Sequence, residues 1–414
     1  MINFLKNSAT IIAVILLFLL TGLIPNEEEQ HILFTAETGG EGACIDYDQT
    51  ENIINVNCNA SFLDVIQTIN DPRILKSLVN GEYLLNSSLE LADAVTFEMS
   101  SSSGGDNLQY LKIAGANGII VHGKILIDGV KITSWNASSN DVIQQDRNGT
   151  IHRGYVQFAA SEGSQIINSE FAYLGDVQPG RRGFDLLGEG DGEPSHDIAI
   201  RNSKFHDMWF AFYSNGAYNI VVDGNEYYNN IKYALDPHTV THDMNITNNY
   251  LHHNPIGVIC SDGCFNILIE GNVIDHNTDY GIFFSRNTHD SIARNNQIYN
   301  VSTGIMVSES PNNQIYNNTI EEATSQGIRL FNPILPDDGF TEGNLVYNNT
   351  IIDSQNGIVA TRSQDNIVQN TTFSDIKSSQ YRLSGDSSII ILGQQFDIAL
   401  ISQDGSETTV RQRS

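Results

Sequence analysis

The stretch Tyr233-Ala-Leu-Asp236-Pro237-His238 sets a phenol, a carboxylate and an imidazole close together in the chain, and Arg286 follows a Gly-x-x-x-Ser strand further on. These groups suit proton abstraction from a carbon next to a carboxylate. An arginine neutralises the substrate's carboxylate and makes the adjacent C–H more acidic, and a histidine titrating near neutrality takes the proton. His238, Asp236, Tyr233 and Arg286 are therefore the candidate catalytic residues. Tyr213, Lys232, Arg201, Lys204 and Ser285 are candidates for binding the substrate. Residue type alone does not single out His238, since the chain has eleven histidines, and Asp236-Pro237 by itself is also a turn signal.

What positions these residues is a repeat. Asn225, Asn249, Asn272, Asn296, Asn318, Asn349 and Asn370 form one column, and Ala211, Ala234, Gly257, Gly281, Gly304, Gly327 and Gly357 form a second. The steps of the second column are 23, 23, 24, 23, 23 and 30 residues, the long one absorbed by residues 331–343. A fixed period of this size marks a solenoid. After each column glycine, the residues one and three places on are apolar (Ile282/Phe284, Ile305/Val307, Ile328/Leu330). That alternation makes half-buried strands, and the asparagines suit the bends, tolerating left-handed backbone and stacking in ladders. The expected fold is all-β, a right-handed parallel β-helix solenoid with a short N-terminal helical cap. In its register Leu235 and Pro237 point inward. Asp236 and His238 point outward on the face of Tyr213, Ile259, Phe283 and Ser285, with Tyr213 stacked beside Asp236. Arg286 then lies two rungs along, about 9–10 Å, a gap that a long guanidinium can largely bridge.

Along the chain, residues 1–25 read as a signal peptide or membrane anchor: Lys6 precedes an apolar run at 9–24, and Asn26-Glu-Glu-Glu29 is abruptly polar. Residues 26–60 read as a weakly structured acidic lead. Residues 61–82 have helical spacing at Phe62–Ile69 and again at Ile74–Leu78, and are expected to cap the open solenoid end. The β-helix is expected over 83–377, and 378–414 as closure and tail. With 21 Lys plus Arg against 49 Asp plus Glu, the net charge is −28. That excludes nucleic acid as a partner, which needs a basic surface, but admits an anionic polysaccharide in a local basic groove. The exported class is consistent with nine Asn-x-Ser/Thr sequons, hence the expectation of a glycoprotein, secreted or held at the cell surface. Four cysteines allow two disulfides, Cys44–Cys58 and Cys260–Cys264 being the local pairing, although Cys260 also falls on an inward, apolar position. No zinc spacing is present. No cofactor or metal is required, Ca2+ remaining an option, and a monomer is expected.

The stretch Tyr233–His238 resembles the Tyr-Gly-hydrophobic-Asp-Pro-His signature of mannuronan C5-epimerases, which convert mannuronate to guluronate within alginate. Lys131-Ile-Thr-Ser-Trp135, residues 168–175, residues 203–213 and Tyr280-Gly-Ile-Phe-Phe-Ser-Arg286 are similar, in the same order, to segments of the periplasmic alginate epimerases. The resemblance implies the histidine as base and the arginine as carboxylate neutraliser, carried onto His238 and Arg286, with Asp236 in support. It implies an isomerase acting on an anionic polyuronate, outside the cytoplasm. Two departures stand out: Ala234 replaces the signature glycine, and Thr239-Val-Thr-His242 replaces Asp-Arg-Ser-His. The alternatives are a polyuronate lyase, which would share the proton abstraction, and a non-catalytic carbohydrate-binding β-helix. A hydrolase lacks support, because no paired aspartates mark adjacent rungs.

Overall fold

The computed structural model describes residues 43–102, 107–188, 193–334, 339–393 and 400–403. The apolar run at 9–24 and most of the acidic lead lie outside them. The chain coils into a right-handed parallel β-solenoid of about 12 turns, with strands laid into three long sheets of 15, 13 and 14 strands. Each turn contributes one strand to each sheet, so residues about 23 apart become hydrogen-bonded neighbours, as in Ile282↔Ile305↔Ile328↔Ile358. These four side chains are fully buried. The stacked isoleucines, valines and phenylalanines form one continuous core along the axis, whose burial drives the coil.

The two sequence columns have separate physical causes. At Gly281, within the strand Tyr280–Ser285, a Cβ would lie 2.6 Å from the carbonyl oxygen of Gly304 and 2.7 Å from Ile298, so the neighbouring rung and core leave no room for a side chain. The column asparagines point inward and form a buried ladder: Asn249 Nδ2 donates to Asn272 Oδ1 at 3.0 Å, and Asn272 to Asn296 at 3.0 Å. Each amide also donates to a backbone carbonyl, so no buried polar group of the ladder is stranded. The left-handed backbone falls one residue earlier, on Asn248, Asn295, Asn317 and Asn348. Asn370 itself is left-handed, so in the last regular turn Thr371 takes the buried place. Parallel buried ladders run through Asn230–Asn254–Asn277 and Asn313–Asn344–Asn366.

Phe62–Ile69 is a helix. Ser61 caps it, its hydroxyl accepting from the Asp64 amide while the Asp64 carboxylate accepts from the Ser61 amide. Phe62 and Val65 are buried against the first turn. The second expected helical segment is instead a strand, Leu75–Ser77, antiparallel to Glu82–Leu85. Asn80 and Gly81, both left-handed, turn the chain back and override the apolar spacing. Strands also begin earlier than the repeat suggests. Ile45–Asp48 and Ile53–Val56 form an antiparallel hairpin beside the Cys44–Cys58 disulfide, and Ile53–Val56 pairs in parallel with Ser88–Leu91. Ile54 and Val56 are buried, an alternation hidden in an acidic context. At the far end Ser379–Ser384, Ile389–Leu392 and Leu400–Gln403 continue the sheets after the columns fade. Cys260 and Cys264 are not bonded to each other. Cys260 is packed in the core, and the Cys264 thiol donates to the Ser261 carbonyl at 3.1 Å.

Candidate functional site

The strand Tyr233–His238 lies in the 15-stranded sheet. Its neighbours place Asp185↔Tyr213↔Asp236 in one outward file and Asn215↔His238↔Ser261↔Ser285 in the next. Tyr213 and Asp236 are thus adjacent, as the 23-residue spacing requires. Leu235 is in the core, and His238 lies half-buried at the strand's end.

Arg286 reaches back over one rung. Its Nη2 donates to His238 Nε2 at 2.9 Å, and Nη2 and Nε contact Ser261 Oγ at 2.9 and 3.2 Å. Because a guanidinium can only donate, Nε2 holds the lone pair and the imidazole proton sits on Nδ1. Nδ1 bonds Thr239 Oγ1 at 2.7 Å, and the Thr239 hydroxyl donates to Asp262 Oδ2 at 3.1 Å. The chain Arg286–His238–Thr239–Asp262 fixes one tautomer. Burial lowers the His238 pKa, and the nearby Arg286 and then Arg182 push the same way against Asp262. The ring is therefore neutral near pH 7, the form in which it accepts a proton.

Thr239 and Val240 both have left-handed backbone, φ 39° and 49°, an uncommon state for β-branched residues. The ladder pins them there: the Thr239 and Val240 amides donate to the carbonyls of Ser261 and Asp262, and the Gly216 amide donates to that of Thr239. This is where the sequence departs from the mannuronan C5-epimerase signature it resembles, and the turn places a hydroxyl between His238 and a carboxylate of the next rung.

Asp236 is on the outer face yet only 3% exposed, and its Oδ1 has no partner. Burial drives its pKa well above the usual carboxylate range, Arg182 and Arg286 opposing and Asp185 adding to the rise. Asp185, also buried, is pushed up to about 6 by desolvation. Arg182 lies 3.6 Å from Asp185 Oδ2 and stacks over the Tyr213 ring at 3.9 Å. Tyr213 leans on the His238 ring (centroids 5.4 Å apart), and burial pushes its phenol up to about 12. Tyr233, at the other end of the strand, packs edge-on against Phe210, and burial raises its pKa as well.

The structure thus brings together His238, Asp236, Tyr233, Arg286, Tyr213 and Ser285. Lys232 stands at the margin, its ammonium 5.0 Å from the Trp209 ring. Arg201 and Lys204 are not in this cluster. Arg201 ends a strand of the 13-stranded sheet, paired between Ile167 and Asp223, and Lys204 lies on the 14-stranded sheet in an ion pair with Glu226 at 3.0 Å. Sequence reading missed Arg182, Asp185, Ser261 and Asp262. Ser261 and Asp262 stand 23 residues after His238 and Thr239, so extending the column one rung finds them. Glu162, His196 and Asp197 could together hold a metal ion, but they lie away from this file, along the edge where the His196 ring stacks on Tyr218.

Fold and site together define a right-handed parallel β-helix with a partly buried cluster of arginines, aspartates, tyrosine and histidine on the outer face of one sheet. A model of the right-handed β-helix region matches residues 241–332. The chain is similar to the mannuronan C5-epimerase of Pseudomonas syringae pv. tomato, with 27% identity over 187 residues, 43% of this chain and 33% of that protein. It therefore spans about a third of the length of this curated relative. A crystal structure of a mutant of the periplasmic alginate epimerase AlgG superposes with a TM-score of 0.67 at 20% identity, covering 87% of this chain and 85% of the other. The A-module of the Azotobacter vinelandii mannuronan C-5 epimerase AlgE4 superposes at 0.57 and 17% identity, covering 80% and 89%. The fold is that of an alginate-epimerase-like parallel β-helix.

Proposed function

We propose that the protein is an exported polyuronate C5-epimerase of the isomerase class, converting mannuronate-type to guluronate-type residues within a polymer. The observation that carries this is the neutral His238 whose proton-accepting nitrogen faces Arg286. A substrate carboxylate is the natural ligand for that guanidinium. Moving onto it would release Nε2 toward the adjacent C5–H. His238 then takes the C5 proton, and the electron pair passes into the carboxylate, where Arg286 and Arg182 hold the growing charge. Asp236, whose carboxyl burial pushes toward the protonated form and whose Oδ1 has no partner, stands beside these groups as a supporting residue. Inversion requires a proton from the other face. Tyr233, half-buried at the other end of the same strand, returns its phenolic proton to C5, and the tyrosinate and imidazolium left behind exchange protons with solvent before the next turnover. Asp262, acting through Thr239, stands in for the acidic residue that the sequence lacks directly after His238.

Similarity to the epimerases, the Cys44–Cys58 disulfide and the sequons support an extracytoplasmic location. The test is a proton NMR spectrum of polymannuronate incubated with the protein in deuterium oxide. Guluronate signals with deuterium at C5 are expected. Unsaturated chain ends absorbing in the ultraviolet would make it a lyase, and an unchanged polymer that nonetheless binds would make it a carbohydrate-binding β-helix.

A further inference from the structure

The same sheet carries a second set of cations beyond the His238 cluster. The file that contains His238 continues through Ser261, Ser285 and Ser308 to Phe331, Thr361 and Ser384. Beside it runs an apolar file of Phe283 and Met306, which then changes character to Arg329, Val359 and Arg382. Arg329 and Arg382 flank a cavity of about 240 Å³, with the buried Val359 between them and the neutral Gln326, Asn356, Thr361 and Ser384 around it. Arg362, in the turn after Thr361, approaches from the side. The guanidiniums of Arg329 and Arg362 sit 4.4 and 5.2 Å from the same Phe331 ring.

Arg329 and Arg362 are two of several described arginines without a carboxylate within 4 Å, and they are set apart by sharing one aromatic ring. Arg73, Arg181, Arg182 and Arg294 each lie within 4 Å of a carboxylate, at 2.5, 3.4, 3.6 and 2.7 Å. Among the described residues neither Arg329 nor Arg362 has one, and the buried Nε of Arg329 has no hydrogen-bond partner at all. Two like charges about one ring repel each other. In a chain with 28 more negative than positive charges, leaving them without a counter-charge costs stability unless an anion from outside fills the place. Burial lowers the Arg329 pKa, Tyr280 opposing and Arg362 adding to the fall.

We propose that Arg329, the cavity it borders and Arg362 beside it form a distal subsite for the carboxylates of an anionic polysaccharide whose reacting residue lies at His238. The strand of Arg329 is the fourth beyond that of His238 in the sheet order, about 19 Å at 4.8 Å per rung, and a rung is close to the length of one sugar in an extended chain. The reacting residue and the distal carboxylates thus belong to one polymer of at least five or so sugars, lying along the serine file over the floor of Phe283 and Met306. This rests on the polyuronate reading above for the identity of the polymer, but not on turnover.

The experiment is calorimetric binding of a mannuronate trimer and decamer to the full chain and to an Arg329→Gln/Arg362→Gln variant, with melting temperatures as the folding control. For the decamer, Kd is expected to rise about tenfold or more and its salt dependence to flatten. For the trimer, which cannot span the rungs, Kd stays within about twofold. Thr361→Glu, which keeps both arginines and adds a carboxylate at the cavity wall, gives the same length-selective loss if the double variant folds poorly. Equal losses for trimer and decamer, or an unchanged decamer Kd in a well-folded variant, overturn the subsite. Length-selective binding without deuterium exchange at C5 keeps the subsite and removes the epimerase reading; exchange with a decamer Kd indifferent to both variants does the reverse.

Discussion

His206 and His238 stand on different sheets of one coil and are tuned in opposite directions. His206 lies on the 14-stranded sheet between two acids, Nδ1 at 2.7 Å from Asp207 and Nε2 at 3.2 Å from Glu170. Its ring stacks on Tyr228, and Tyr228 stacks on His252. Burial is the largest influence and lowers its pKa, but Asp207 and Glu170 together outweigh it and the net shift is upward. His238 is comparably buried, but its Nε2 faces a cation, and the net shift is downward. Burial disfavours the charged ring in both; the sign follows from what touches the ring nitrogens. One imidazole is pushed toward its cationic form in a structural ladder and the other toward its neutral, basic form. The fold supplies both environments from the same repeat, so chemistry here resides in the partners one rung away.

The largest expected effect is at His238 itself. His238→Asn keeps a polar side chain of similar shape but has no titrating nitrogen, and it should lower C5–deuterium exchange by about 10³-fold while polymer binding persists. Retained exchange would move the base to Tyr233 or Tyr213. Arg286→Ala comes next, with a loss of about 3 kcal/mol in turnover, and Arg286→Lys should recover only part of it, lacking the planar fork. The pH profile adds a sign. With its pKa depressed, His238 stays an active base below the ordinary value of about 6.5, so the acid limb of wild-type activity should lie below that value. Removing Arg286 takes away one of the depressing charges, so the residual activity of Arg286→Ala should show its acid limb at higher pH. An acid limb that does not move would show that Arg286 does not act on His238.

The contrast sharpens from the other side with His206→Gln, which should leave turnover within about twofold and lower the melting temperature by a few degrees. Because the folded pKa of His206 is raised, its stabilising contribution is fully present below the unfolded value of about 6.5. It is lost as pH rises through the folded value. The gap in melting temperature between wild type and His206→Gln should therefore be widest in mild acid and close above neutrality. A gap that widened with pH would contradict the ion pairs with Glu170 and Asp207.

Which of these features the sequence discloses follows from how a coil stores information. Ladder partners are legible because the period is nearly constant: Tyr213 beside Asp236, and Ile282, Ile305 and Ile328 in one stack, need only subtraction. Sheet membership is less legible, since one turn of about 23 residues holds three strands on three faces. Arg201 and Lys204 are near the site in sequence but sit on the other two. Insertions hide partners altogether. The segment between Leu187 and Ser195 breaks the count, so Asp185 and Arg182, which flank Tyr213, cannot be reached from the regular columns. Composition misleads at Cys260, where proximity to Cys264 suggested a bond but an inward register buried the thiol in the core.

The smallest expected effect tests the relay behind His238. Among the described residues, Thr239 alone links the imidazole Nδ1 to Asp262 within hydrogen-bond distance, because Nδ1 and the carboxylate are 3.8 Å apart. Thr239→Val preserves the β-branch, and hence the cost of the left-handed backbone, but removes the hydroxyl. Nδ1 then loses its acceptor, the ring is held by Arg286 at Nε2 but no longer anchored at Nδ1, and turnover should fall about three- to tenfold, the range for one neutral hydrogen bond of about 1 kcal/mol. Thr239→Ser keeps the hydroxyl and, without a β-branch, bends at least as readily, so it should retain wild-type turnover. Polymer affinity should be the same in both, since Thr239 lies behind the ring rather than in the groove. If Val and Ser behave alike, the hydroxyl is not part of the relay, and His238 is oriented by Arg286 and the Tyr213 ring alone.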